Sequence, residues 1–232
     1  MRLVLIHGSV GNGPMTWPSI EPLQERFDVV LPSRGGYPPG PPLDRIDFET
    51  QAEELAPLLE DGAHLVGHSY GGVISLLIAA RYPERVRSLA VSEPPAFGVA
   101  RGRPEVERLL AELSAFFAGG PYEPAAYLRG FLGVVGSDIG LPEPLPPDLE
   151  QGARAAMAER PPNEAEIPLD DLEGAPFRKL VLSGAHHPAF DAVCDVLEER
   201  LGAERAVVPG AGHSIPRAPG YMDRLTAFLA LA

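Results

Sequence analysis

The sequence predicts an α/β fold built on a mostly parallel sheet, and three observations carry that prediction. Short apolar runs without polar alternation, such as Leu3-Val4-Leu5-Ile6 and Ala63 to Val66, read as strands covered on both faces. Helical runs follow these strands in alternation as far as about Pro95, and again from Phe177 to Ala232. A Gly67-x-Ser69-x-Gly71 turn, with Gly72 beside it, joins the run ending at Val66 to an apolar helical run from Val73 to Ala80. A strand that turns so sharply into a helix strains its middle residue, and small neighbours keep strand and helix from colliding. The 232 residues suffice for one such domain with a small insertion.

The elements follow in order. Leu3 to Ile6 ends in His7-Gly8-Ser9-Val10-Gly11-Asn12-Gly13, a loop after a central strand. A dinucleotide-binding G-x-G-x-x-G would need glycine where Thr16 stands, so that reading is set aside. His7 reads as a hydrogen-bonded loop residue rather than a base. Trp17 to Phe27 reads as an amphipathic helix, with Pro18 near its start and Pro22 marking a break. Asp28 to Pro32 is the next strand, followed by a rigid Pro- and Gly-rich loop around Arg34. Ile46 to Leu59 is a helix that Asp47 can cap and Glu60-Asp61-Gly62 ends. After the central turn come Arg81-Tyr82-Pro83-Glu84-Arg85-Val86 and a strand from Val86 to Val91. The alternation then stops. Pro104 to Phe117, Tyr122 to Val135 and Pro147 to Ala158 look helical, separated by Pro- and Gly-rich stretches. Lys179 to Ser183 resumes the sheet, Pro188 to Leu201 is a helix, Arg205 to Val208 a last strand, and about Gly220 to Leu231 a closing helix.

The Gly67-x-Ser69-x-Gly71 turn resembles the nucleophile elbow of the α/β-hydrolase superfamily. The His7-Gly8 loop, the Tyr82-Pro83-Glu84-Arg85-Val86 link, the imperfect Arg34-Gly35-Gly36 match and Gly210-x-Gly212-His213 after the last strand fit the same family. The resemblance implies a three-layer fold. Its core is expected over residues 1–96 and 173–232, with a helical cap inserted over 97–172. Because the first apolar run is already the His-Gly strand, the sheet is expected to have about six strands, all or nearly all parallel. Phe116, Phe117, Tyr122, Tyr127 and Phe131 fall in the cap, where an aromatic set at helical spacing divides between core and substrate cavity.

The resemblance also implies roles. A serine hydroxyl attacks only when a base takes its proton. Ser69 would be the nucleophile, His213 the base, and the backbone N–H groups of Ser9 and Tyr70 the oxyanion hole. The third member departs from the family pattern. The family's acid follows the strand ending at Gly184, but Gly184-Ala185-His186-His187-Pro188 puts His187 in its place, and an imidazole cannot do a carboxylate's work. Two substitutes stand in the sequence. Glu93, in Ser92-Glu93-Pro94-Pro95, is favoured over Asp191, one helical turn past His187.

The expected activity is hydrolysis of a small or medium uncharged ester, thioester or lactone through an acyl-enzyme. Two alternatives stay open: hydroxynitrile-lyase-like Ser/His base chemistry, and a non-catalytic small-molecule receptor on the same fold. No cofactor is expected. A metal at His186 and His187 with Asp191 or Asp195 is not expected either, since adjacent side chains diverge. The net charge of −13 disfavours nucleic acid and anionic membrane surfaces. No apolar run approaches the ~18 residues of a spanning helix, and Leu3 to Ile6 is too short for a signal segment. The single Cys194 suits a reducing compartment and reads as a small core residue, so a cytoplasmic location is expected. The partner implied is a small-molecule substrate; a homodimer is left open.

Overall fold

The computed structural model describes residues 1–137 and 139–231. Six strands form one sheet in the order β2-β1-β3-β4-β5-β6: β1 Arg2–Ile6, β2 Asp28–Val30, β3 Ala63–His68, β4 Val86–Ser92, β5 Arg178–Ser183 and β6 Glu204–Val207. Every pairing is parallel, as expected from the unalternating apolar runs.

Successive side chains of each strand feed opposite faces. Val4, Ile6, Leu65, Leu89, Val91 and Val181 join the larger cluster, with α3 (Phe48–Leu55), α4 (Tyr70–Arg81) and α9 (Pro188–Leu201). Leu3, Leu5, Val66, Ala90, Leu180 and Leu182 point the other way, towards α2 (Glu21–Gln24) and α10 (Tyr221–Leu229). Cys194 is buried in the first of these layers, where burial pushes its thiol up to about 12. It is a core residue, as its apolar setting predicts.

Local chemistry accounts for most boundaries. Asp47 caps α3, its carboxylate accepting from the N–H groups of Glu49 and Thr50. The expected single helix from Trp17 to Phe27 is instead two short pieces, α1 (Gly13–Thr16) and α2. Pro22 does not break a helix; it lies in the first turn of α2, where its missing N–H costs nothing. The interruption falls ahead of it, at residues 17–20.

Between β4 and β5 the chain leaves the sheet. It forms α5 (Pro104–Gly119), α6 (Pro124–Val134), α7 (Pro147–Ala158) and the short α8 (Leu169–Glu173). The sequence signalled the first three; α8, at five residues, is too short for a periodic signal. The stretch just after α7 is tied to the core by backbone. Ile46 donates to the Ala158 carbonyl at 2.9 Å and accepts from Arg160 at 2.7 Å. Gly152 lets α7 press on the loop after β1, since a Cβ there would stand 1.8 Å from the Val10 carbonyl oxygen. Among the described residues no helix is long and apolar enough to cross a membrane.

Candidate active site

The tight turn between β3 and α4 places Ser69 at φ 51° and ψ −125°, immediately before the helix. Gly71 makes the turn possible: a Cβ on it would come within 2.2 Å of the Ile6 carbonyl oxygen, so any side chain would drive α4 off β1. Backbone strain concentrates around this point. Among the described residues, the non-glycine residues with positive φ are Val10, Ser69, Glu93 and Ala185, in the loops after β1, β3, β4 and β5. Such conformations cost roughly 1–3 kcal/mol each and persist where the surroundings over-determine them.

Three side chains meet above these strand ends. The Ser69 hydroxyl donates to His213 Nε2 at 2.9 Å, and His213 Nδ1–H donates to Glu93 Oε2 at 2.9 Å. Ser69, His213 and Glu93 are all buried, and the Glu93 side chain is 0 % exposed. Burial alone would raise the Glu93 carboxyl; hydrogen bonds and positive charge from His186 and His213 outweigh it and hold it down at about 2. The carboxylate is therefore ionised over the whole working pH range.

Asp191, the other carboxylate singled out by sequence, is not at His213. It sits in the first turn of α9, 3.5 Å from Arg205. His187 caps α9, its Nδ1 accepting from Ala189 N–H at 3.2 Å, so the residue in the family's acid position has become a helix cap. His186 turns the other way and faces Glu93 Oε1 at 3.1 Å. The ligand atoms of Glu93, His186 and His213 lie within 4.8 Å of one another. Their mutual hydrogen bonds explain that convergence.

Ser9 and Tyr70, the two expected oxyanion donors, flank Ser69. Tyr70 opens α4, so its N–H has no partner within the helix. The loop carrying Ser9 lies against the nucleophile position: a Cβ on Gly8 would stand 2.9 Å from Ser69 Cβ. Two further histidines hold these loops. His68 Nε2–H donates to the His213 carbonyl at 2.8 Å. His7 Nδ1–H donates to the Gly8 carbonyl at 2.8 Å, and its Nε2 accepts from Arg34 N–H at 3.2 Å. Burial, with neighbouring positive charge, pushes both rings down to about 3, so they stay neutral.

A buried polar cluster beneath the Ser9 loop escaped the sequence reading. Arg34 donates to Gln51 at 2.9 Å and to the Gly8 carbonyl at 3.0 Å, and pairs with Glu159 at the end of α7. Glu159 also accepts from the Ser9 hydroxyl and, at 2.8 Å, from Tyr37. The Arg34 guanidinium lies 4.5 Å from the centre of the Tyr70 ring. The one sequence signal was the partial Arg34-Gly35-Gly36 match; nothing marked Glu159, 125 residues away. Removing one member of such a pair strands the other charge. Arg34→Met should therefore lower stability by about 3–5 kcal/mol in urea unfolding, and adding Glu159→Leu should restore most of it. Equal losses in the single and double variants would show the pair is not the determinant.

The Ser69 hydroxyl opens into a cavity of about 240 Å³. Its walls include Phe131, Leu132, Val135, Ile139, Leu141 and Leu149, with Arg217 as the charged residue lining it among the described residues. Phe117, Tyr127 and Phe131 line a smaller space beside it, whereas Tyr122 is 70 % exposed. The aromatic set thus divides between cavity wall and surface.

A parallel six-stranded sheet carrying a hydroxyl, an imidazole and a carboxylate in series on its C-terminal loops defines the α/β-hydrolase class of fold. The chain has that fold, and a family profile described as alpha/beta hydrolase fold matches residues 2–106. It is 34% identical over 122 residues to the pimeloyl-[acyl-carrier protein] methyl ester esterase of Aeromonas hydrophila, covering 50% of this chain and 48% of that protein. The chain spans about half the length of the curated relatives it matches first, 48% and 54%. Among solved structures, a bacterial membrane phospholipase A superposes with a TM-score of 0.73 at 26% identity, covering 99% of this chain and 78% of that one. A carboxylesterase from Bacillus subtilis superposes at 0.67 with 21% identity, over 100% and 84% of the two chains, a likeness of fold.

Proposed function

We propose that the protein is a serine hydrolase that cleaves a small or medium uncharged ester, thioester or lactone through an acyl-enzyme on Ser69. The observation that carries this reading is the unbroken series from Ser69 Oγ to His213 Nε2 and from His213 Nδ1 to Glu93, each step 2.9 Å. His213 takes the Ser69 proton as the oxygen attacks the carbonyl carbon. The N–H groups of Ser9 and Tyr70 receive the oxyanion, a contribution of about 3 kcal/mol for one such donor. His213–H⁺ protonates the leaving alcohol, thiol or ring oxygen. Water, activated by His213, then releases the acid. Glu93 keeps Nδ1 protonated, leaving Nε2 free to accept.

The apolar cavity walls favour an apolar acyl group, and the esterase and hydrolase names of the relatives support the reaction class. Residues 97–172 act as the cap, since Phe131, Val135 and Leu149 from that segment line the cavity. The substrate is a free small molecule and a homodimer is compatible with the reading. A single free cysteine suits a reducing cytoplasm.

A series of p-nitrophenyl esters of increasing acyl length tests the proposal. An initial burst of p-nitrophenol equal to the enzyme concentration, with kcat/KM peaking at a short or medium chain, is the expected result. Tight ligand binding without turnover would point to a receptor, and turnover of cyanohydrins without a burst to Ser/His base chemistry; either rejects the acyl-enzyme.

A further inference from the structure

Glu93 is held from two sides. Oε2 accepts from His213 Nδ1–H at 2.9 Å, while Oε1 accepts from Gly184 N–H at 2.7 Å and faces His186 Nδ1 at 3.1 Å. The second nitrogen of His186 faces the Val135 carbonyl at 3.1 Å, where α6 ends. Neither oxygen can donate. A neutral imidazole carries one N–H and one lone pair. Whichever proton it lacks, a neutral His186 would aim a lone pair at an acceptor, the carboxylate or the carbonyl. Only the doubly protonated ring satisfies both contacts.

We propose that His186 is a cationic positioning residue, which fastens Glu93 on the side away from His213 and ties it to the end of α6. This rests on the reading of Ser69, His213 and Glu93 as the catalytic series. The ring has little room to move. A Cβ on Gly136 would come within 2.8 Å of His186 Cδ2, and the Phe190 ring stacks against the imidazole with ring centres 5.8 Å apart. The charged and titratable groups around it come from every neighbouring element. Glu93 follows β4, Asp191 lies on α9, His187 is adjacent, Glu112 on α5 acts on His187, and His213 follows β6 with its ring 5.9 Å away. Burial opposes the charge on His186; the Glu93 hydrogen bond and charge, the Val135 carbonyl and Asp191 outweigh it and leave the ring above its ordinary value of 6.5.

The sign follows from linkage. A raised value in the folded protein means the His186 contacts are complete below pH 6.5 and are lost as pH rises through the raised value. Activity should fall on the alkaline side as His186 loses its charge.

The test has two arms on the intact protein. First, kcat and KM for p-nitrophenyl butyrate are measured from pH 5 to 10 for the wild type, His186→Gln and His186→Phe. The glutamine retains a donor without the charge. The expected result is a fall in kcat of about tenfold to a hundredfold in both variants, the size of effect seen when a partner that orients a metal-binding side chain is removed. KM should change little, and the alkaline limb should vanish in both. Second, long-range ¹H–¹⁵N spectra of the histidine rings should show both His186 nitrogens protonated at neutral pH. A neutral His186 ring at pH 7, or an alkaline limb unchanged in His186→Gln, overturns the proposal. If the wild type fails to acylate at Ser69, the hydrolase reading fails instead, and the ring spectrum still reports the charge of His186.

Discussion

Ser69→Ala should reduce ester turnover by roughly 10⁶-fold, to the residual rate that oxyanion donors and binding alone can sustain. The variant should also lose labelling by a fluorophosphonate probe, which needs the same hydroxyl. The fold should be untouched. Ser69 Oγ has the His213 contact as its only side-chain hydrogen bond among the described residues, and the helix behind it is held by buried apolar residues from Val73 to Ala79. Unchanged circular dichroism and melting temperature would show that the loss is chemical. Labelling that survives in Ser69→Ala would place the nucleophile elsewhere and end the proposal.

Glu93→Gln is expected to cost about 10⁴-fold in kcat with KM little changed. The reason is the tautomer of His213. Oε1 of the glutamine would still accept from Gly184 N–H, leaving its amide NH₂ where Oε2 now accepts from His213 Nδ1–H. To avoid two donors meeting, His213 would shift its proton to Nε2, the atom that must accept from Ser69. Asp191→Asn is the control. Its carboxylate serves Arg205 and the first turn of α9, so activity should stay within a few-fold of the wild type. If Asp191→Asn proved the more damaging, Glu93 would not be the acid. The carboxylate also carries a pH signature. Its ordinary value of 4.5 falls to about 2 in the folded protein, so its contribution to stability is complete above pH 4.5 and is lost as pH drops towards 2. Glu93→Gln should flatten acid unfolding across that window.

These two variants also mark what could be read in advance. Ser69 and His213 stand in local patterns, the first between Gly67 and Gly71 and the second after Gly210-x-Gly212, so sequence alone pointed to them. The choice between Glu93 and Asp191 was different in kind. Glu93 and Asp191 come after the neighbouring strands β4 and β5, and composition cannot say which one faces Nδ1. Packing of β4 against β5 places Glu93 under His213, while Arg205 from β6 draws Asp191 aside.

The chain order of apolar runs was enough to determine the parallel sheet and its flanking helices, because burial on both faces leaves a periodic record in neighbouring residues. Only the tertiary structure decided the Arg34–Glu159 pair and the seat of His186 against Glu93 and Val135. Those contacts join residues far apart in the chain. A buried polar group leaves no periodic trace; its partner is set by how the layers close upon one another, and only there does an isolated charge find the group that makes its burial tolerable.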